Sequence, residues 1–569
     1  MKKVKRTVAA VLAAGMLLTT PAWAAEQEVA VVQERSGDAI QLFSKAELTE
    51  AQRQALEKMY QIIPELKELS LQNVEYNEDR TAWGGYLTDG SPDVTPDNRR
   101  IRAGIAFDAK TGELINFYID NPQWTAENLP SPALVEEKAA GFARELLGDR
   151  LEEYEMGETM SFSSGSTTDD KGKKIMMTSA QVYFNRLING VPLLKSGFQV
   201  SVDSAGHITE FRREKDDNPD PAKFPDPSRA MTKEAAEKAF AGLVEMNLSY
   251  NSSQPLRLSW LGKGGEETTP VLMYYPSFSG FIDAETGKPL DDHWGGLQQS
   301  QRIILNGEGK KFYAATPEEG ARLLAEEFGV DMAGMEFGSV RVHDLPVTSG
   351  YQFKEYSWRS ETQQETDNKS DWNEVRFVNL KTIAETGEIV GFGIQDDSGR
   401  GKQGTVSGED AQKTAVQFLQ RYLEPGAAEL VLTVFPSEDN IPAWVDQSKL
   451  TDQMQQRPQF FIQFSETYQG IPVADSSHIV RVDALTGKVT EFGIGSRNAS
   501  VTLPDSSDAV TADVAKAEYL KRHPLRLVYI WPEYYEQKAP SPQMVYLPVS
   551  GDLGYIDALT GKTVVLERN

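Results

Sequence analysis

The chain has 569 residues, 25% of them charged, with a formal net charge of −26 and no cysteine. That charge repels phosphate backbones and argues against a nucleic-acid partner. The missing cysteine excludes disulfides, thiol catalysis, cysteine-ligated metals and a lipidated N-terminal cysteine.

The N-terminus predicts export. Lys2, Lys3, Lys5 and Arg6 precede a short apolar run over 7–20, and Ala22-Trp-Ala24 gives a small-x-small cleavage pattern. Residues 1–24 therefore read as a secretory signal peptide, and the mature chain as secreted, with association at the cell envelope open to it. The run is too short for a stable membrane span, and no later segment approaches one, so no transmembrane segment is expected in the mature chain. Losing the four basic residues of the leader takes the charge from −26 to −30.

Six helices are predicted in chain order. Ser44 to Glu47 forms a capping box ahead of Leu56, Met59, Tyr60 and Ile63. Ser131-Pro132 opens a second with Val135, Ala139, Phe142 and Leu146 on one face, closed by Gly148. Thr232 starts a short third, and Thr316-Pro-Glu-Glu319 a fourth that runs to Gly329. Ser407 starts the fifth, carrying Ala411, Ala415, Phe418 and Tyr422, and Thr511 a short sixth.

Strand-like alternation follows each helix and ends in a repeated turn phrase. Asp108-Ala-Lys-Thr-Gly-Glu113 returns at Asp283–Lys288, Asp483–Lys488 and Asp557–Lys562, with weaker copies at Asp203-Ser-Ala-Gly-His207 and Ile383-Ala-Glu-Thr-Gly-Glu388. Each predicts a hairpin in which the Asp accepts from the turn backbone and the Gly adopts a left-handed conformation with a bulge. Gly112, Gly206 and Gly287 are offset from Gly387, Gly487 and Gly561 by 275, 281 and 274 residues. The chain thus reads as two tandem copies of a three-unit block, joined near 295–301.

The fold expected is α+β, six units of one helix on about four antiparallel strands. Their ranges are 44–120, 130–213, 230–294, 316–395, 406–495 and 510–567, each small enough to need a packed neighbour. Polar, Gly/Pro-rich or charged stretches at 163–174, 216–221, 224–227, 361–371, 399–404 and 496–508 read as loops and linkers.

Little in the chain points to catalysis. His207, His293, His343, His478 and His523 are its five histidines, none at metalloprotease spacing. Asp291-Asp-His293 is the one compact acid–histidine cluster, but it breaks the repeat. There is no Gly-x-Ser-x-Gly elbow. Gly399-Arg-Gly-Lys-Gln-Gly404 matches a dinucleotide-loop spacing, yet it follows an antiparallel hairpin and reads as a linker. Gly561-Lys-Thr563 resembles a phosphate-loop end, with Ile556 where the leading glycine belongs. Calcium is the one cofactor to consider, at 216–220, which lacks an EF-hand spacing. No catalytic, cofactor-binding or metal-ligating residue is assigned, and the chain is expected not to be an enzyme.

Trp83 and Trp358 each lie 29 residues before their turn glycine, and Trp260 and Trp531 lie 27 and 30 before theirs. These pairs read as equivalent core positions. Trp124, Trp294, Trp372 and Trp444 are unmatched and loop-like, and so are better candidates for a partner surface. Asn189-Gly-Val-Pro-Leu193 is echoed by Gln469-Gly-Ile-Pro-Val473.

These elements, a helix then strands ending in D-A-x-T-G-[KE] with N-G-[VI]-P-[LV] earlier in the unit, resemble the PepSY-like domains of bacterial secreted proteins. They are also similar to the propeptides of thermolysin-type metallopeptidases. The tandem block over 44–566 most resembles the YcdB/YcdC repeated-domain proteins. The resemblance implies a non-enzymatic protein-binding module at the cell envelope, with a secreted peptidase as a partner class to be modulated in trans. The alternatives are a carbohydrate- or wall-binding protein using loop aromatics, and a hydrolase with an unrecognised carboxylate site, for which Asp292 and His293 are the best residues.

Overall fold

The structure is a computed structural model that describes residues 48–77, 80–90, 101–125, 128–168, 174–214, 219–251, 270–290, 299–343, 352–360, 376–435, 441–450, 455–495, 501–549 and 554–565. The leader, the cluster at 291–293, Trp260, Trp294 and Trp372, and the stretch 361–371 lie outside the described residues.

Six α-helices form where caps and apolar spacing place them: α1 Glu50–Ile62, α2 Pro132–Leu147, α3 Lys233–Leu243, α4 Pro317–Glu326, α5 Gly408–Tyr422 and α6 Ala512–Arg522. The start of α1 differs from expectation. Thr49 is its N-cap, accepting from Gln52 N at 3.3 Å while Gln52 Oε1 accepts from Thr49 N at 2.9 Å, a reciprocal box; Ser44 to Glu47 lie outside the described residues.

In the first half the strands are β1 Ser70–Tyr76, β2 Ala82–Thr88, β3 Arg102–Asp108, β4 Leu114–Asp120, β5 Tyr154–Thr168, β6 Lys174–Ile188, β7 Val191–Asp203, β8 Ile208–Arg213, β9 Met246–Asn251, β10 Val271–Pro276 and β11 Ile282–Asp283. The second half has β12 Gln299–Gly307, β13 Met335–His343, β14 Phe353–Ser360, β15 Arg376–Ile383, β16 Ile389–Asp396, β17 Gly426–Phe435, β18 Gln459–Tyr468, β19 Ile471–Asp483 and β20 Val489–Gly493. It closes with β21 Leu525–Ile530, the short ribbon β22 Glu533–Tyr534 and β23 Gln537–Lys538, then β24 Gln543–Pro548, β25 Gly554–Asp557 and β26 Thr563–Val565.

The repeated phrase makes the hairpins expected of it. Asp108 Oδ1 accepts from Lys110 N, Thr111 N and Thr111 Oγ1 at 2.9, 2.6 and 2.9 Å, and these donors hold its carboxyl below the usual range, the Thr111 amide foremost. Gly112, Gly206, Gly287, Gly387, Gly487 and Gly561 all have φ between 68° and 92°, a region costly for residues with a Cβ. Register slips one residue beside the turn at Ala106/Phe107 and again at Arg481/Val482, as a bulge requires.

Two long sheets result. The first runs β1-β2-β3-β4-β8-β7-β6-β5, under α1 and α2. The second runs β13-β14-β15-β16-β20-β19-β18-β17-β12, with α5 packed on β18, β19 and β20. Each extends through a parallel contact to strands of the other half: β7 meets β21 at Leu193/Tyr529, and β19 meets β9 at Val473/Tyr250.

The chain's third and sixth segments exchange strands. β9 and β10 end against β25, and β21 and β24 end against β11. Helices follow suit, α6 packing on β9 and β10 while α3 packs on β21. Ala284 N donates to Met544 O at 3.0 Å and Ala558 N to Leu272 O at 2.8 Å. Tyr274 Oη donates to Val510 O at 2.7 Å and Tyr546 Oη to Met231 O at 2.8 Å. This departs from a plain tandem of blocks. A repeat records order along the chain, and two copies with one pattern can close on themselves or on each other with the same local contacts. A third core, shared by residues of both halves from Ile188 to Ala558, lies at this junction beside the core of each sheet.

Two expected linkers are built structure. Phe224 and Leu503 are buried in the shared core. Asp220, Asp226 and Asp505 cap short 3-10 turns through Ala222 N, Ser228 N and Ser507 N at 2.9–3.0 Å. The expected loop at 163–174 is largely hairpin, since β5 continues to Thr168.

Candidate functional site

Of the four histidines within the described residues, His207, His478 and His523 are engaged structurally, while His343 is exposed on β13 with Nε2 3.7 Å from Glu355. His478 is 3% exposed, opposite Phe464, and burial pushes its pKa down to about 4. His523 Nδ1 lies 2.8 Å from Tyr519 O, stacked on that ring and lowered by burial. His207 Nδ1 lies 2.7 Å from Asp203 Oδ2, whose other oxygen accepts from Ala205 N and His207 N, so the pair braces a turn. Trp124 stacks on His207 at 4.0 Å and 7°, which joins two residues 83 positions apart and covers one face of that indole.

The glycine loop faces its own chain. A Cβ on Gly399, Gly401 or Gly404 would meet Leu485, Gln455 or Ala484 within 3.0 Å, while Arg457 donates to Ser398 O and pairs with Asp396 and Asp483. Left-handed φ of 87° and 68° at Gly399 and Gly401, and close packing on Ala484 at Gly404, account for these glycines. The N-G-V-P turn also has a structural role: Asn189 and Gln469 adopt φ of 51° and 52°. Gln469 Oε1 accepts from Tyr250 Oη at 3.1 Å and Ser506 N at 2.9 Å, and Asn189 Nδ2 donates to Pro221 O at 3.4 Å. Each turn therefore grips the segment ahead of the next helix. An open cleft of about 620 Å³ beside Asn189 is lined by Pro221, Phe224 and Asp226, whose carboxylate is already spent on Ser228 N.

Trp83 and Trp358 share a core face but not a rung. Counted from the turn pairs Ala82/Asp108 and Phe353/Ile383, Trp83 matches Lys354, and Trp358 matches Leu87. Unequal strand and loop lengths conceal this from simple spacing. Trp531 is partly buried, donating to Ala539 O at 2.8 Å and meeting Phe224 edge-on. Trp444 is half-buried. Among the described residues no group of three or more His, Asp or Glu side chains is placed to hold a metal ion, and no helix is long and apolar enough to cross a membrane.

The same rung count isolates an asymmetric surface. Leu71, Val74 and Tyr76 of β1 match Phe337, Val340 and Val342 of β13, with a bulge in the same place in each strand. In the first half this strip is covered: Val74 is 1% exposed, Leu71 and Tyr76 pack on the core, and Gln52 Nε2 donates to Tyr76 Oη at 2.8 Å. The cover comes from α1 and the 3-10 turn Pro64–Glu68, with Ile63 and Leu66 buried in the same core. In the second half α4 has 10 residues against 13 in α1, and no 3-10 helix follows it before β13, only a tight turn closed by Met335 N on Met332 O. Phe337, Val340 and Val342 are left 47, 51 and 58% exposed.

β13 also ends its sheet, and its outer edge pairs with no strand among the described residues. Arg341, Lys354, Arg359 and Lys381 lie on β13, β14 and β15. None of these four has an ion-pair partner among the described residues. Lys354 shares the face of Val342, whereas Arg341, Arg359 and Lys381 lie on the other face, where Glu355 stands across from Arg341 and Lys381 and Glu336 across from Arg359.

A family model described as "YcdB, YcdC repeated domain" matches residues 49–215 and 348–495. The chain belongs to this family. The first matched stretch carries β1 to β8 and the second β14 to β20, while β12 and β13 of the second sheet lie outside the match. No curated protein matches the chain. Among solved structures the Bacillus megaterium YpeB C-terminal domain matches at 16% identity, over 44% of this chain and 95% of that one, with a TM-score of 0.22. That score is too low to carry over fold or activity.

Proposed function

We propose that this YcdB/YcdC-family chain is a secreted, non-catalytic protein-binding module of the cell envelope, whose partner docks on the uncovered end of the second sheet. The observation that carries the reading is the strip Phe337, Val340 and Val342, half exposed where its first-half counterpart is covered. Exposed apolar surface along the free edge of a sheet favours a protein partner over bulk water. A secreted peptidase is the partner class suggested by the propeptide resemblance. Six PepSY-like units remain our reading of the modular plan, with the third and sixth completing each other.

Carbohydrate stacking is less well supported, because one face of Trp124 is occupied by His207. The residues named for a hydrolase reading, Asp292 and His293, lie outside the described residues, while Asp108, Asp226 and Asp483 serve a turn, a cap and an ion pair.

The test is to incubate the mature protein with the secreted peptidases of its source and to capture binders on immobilised protein. A Val340→Ser/Val342→Ser variant serves as comparison. Slowed proteolysis or a retained protein, lost in the variant, is expected; the reading fails if no peptidase slows and no protein is retained.

A further inference from the structure

We propose that the partner adds an extended strand to the free edge of β13, and that this strand alternates apolar and acidic side chains. The inference rests on the protein-binding reading and names the chemistry of the docked segment.

Three features of β13 converge on it. Past the bulge at Gly338, residues 339–343 stay in unbroken register with β14, which leaves the opposite backbone edge to receive a strand. Side chains alternate across the sheet, so an added strand presents one set to each face. On the helix-bearing face it would meet Val340 and Val342, which suits apolar side chains. On the other face it would meet Arg341 and His343 on β13, with Glu355 and Lys381 on the next two strands. His343 Nε2 already lies 3.7 Å from Glu355, while Arg341 and Lys381 have no ion-pair partner among the described residues. An acidic side chain there would supply Arg341 with one. The molecule itself shows an edge filled this way: β12 lies antiparallel along β17 from Gly426 to Val434 at the far end of the same sheet.

The experiment uses the full mature chain and fluorescent peptides of about seven residues, the length of an ordinary strand. One probe alternates Val and Glu, a second alternates Val and Lys, and a third carries a central Pro in the Val/Glu pattern. Anisotropy should show the Val/Glu probe binding saturably, and the Val/Lys and Pro probes at least about tenfold more weakly. Val340→Asp in the chain should weaken the Val/Glu probe by about tenfold or more. Arg341→Glu should reverse the preference between the two charged probes. Circular dichroism and thermal melting of both variants verify folding, which their exposed positions favour.

Equal binding of the three probes, indifference to Val340→Asp, or no binding overturns the proposal. So does a wild-type dimer, seen by sedimentation and abolished by Val340→Asp, because a second copy would then hold the edge. A protein retained by the wild type and by Val340→Ser/Val342→Ser alike removes the β13 site while leaving the protein-binding reading intact.

Discussion

His478 should make the stability of the second half depend on pH between about 4 and 6.5. The matching position on β7 is Phe198, since Phe184/Phe198 and Phe464/His478 occupy the same place in their hairpins. A histidine thus stands where the other copy packs an aromatic hydrocarbon. Its Nδ1 is buried without a hydrogen-bond partner, and Glu466 Oε1 stands 3.6 Å from Nε2, beyond good hydrogen-bonding distance. Burial disfavours the imidazolium, so the folded pKa falls to about 4 from 6.5. Above 6.5 neither folded nor unfolded chain binds the proton, and stability is complete. As pH falls the unfolded chain takes the proton first, and stability is lost. At about 1.4 kcal/mol per pH unit the loss is about 2 kcal/mol at pH 5 and about 3 kcal/mol near pH 4. His478→Phe should abolish that component. Urea unfolding of both proteins at pH 7.5, 6 and 5, followed by tryptophan fluorescence, to which Trp358 of the same core contributes, measures it. The difference between variant and wild type should grow by about 2 kcal/mol from pH 7.5 to 5. Parallel pH profiles would refute the assignment of His478 as a neutral core residue.

Tyr250→Phe removes the hydroxyl that lies 3.0 Å from Pro504 O and 3.1 Å from Gln469 Oε1, and should cost about 1 kcal/mol by chemical denaturation. Gly112→Ala meets no atom within 4 Å, so its cost is set by φ of +70° alone, about 1–2 kcal/mol in the melting of the first half. The chain has no cysteine, which makes crosslinks easy to interpret. Met273→Cys with Asp557→Cys, facing each other on β10 and β25, should form a disulfide on mild oxidation. If this pair stays reduced in folded protein while a Met273→Cys/Ser249→Cys pair across β10 and β9 oxidises, the exchange is wrong.

Local signals were legible in proportion to how locally they are satisfied. Asp108, Thr111 and Gly112 build their turn from six consecutive residues, and Ser131, Thr232, Thr316 and Ser407 each cap their own helix through a nearby backbone amide. The tryptophan pairing went astray because spacing counts residues, whereas equivalence is set by strand register. The exchange of β10 and β24 partners was beyond reach of the repeat, since either closure buries the same side chains. Phe224 and Leu503 were hidden in proline-rich stretches, although 224–232 and 503–511 share Pro-Asp, Ser, Ala and Thr at matching positions. That phrase was the missed signal for segments pinned to the shared core. The β13 surface had no signature of its own: Val340 and Val342 read as ordinary strand residues, and only comparison with the covered β1 marks them.

Amide hydrogen exchange tests the functional account most directly, read on the mature protein with and without the Val/Glu probe or a captured partner. Protection should appear over 339–343 and leave 70–76 of β1 unchanged, because only the second copy lacks a cover. Unchanged exchange on β13 under saturating ligand, or equal protection of β1, would contradict it.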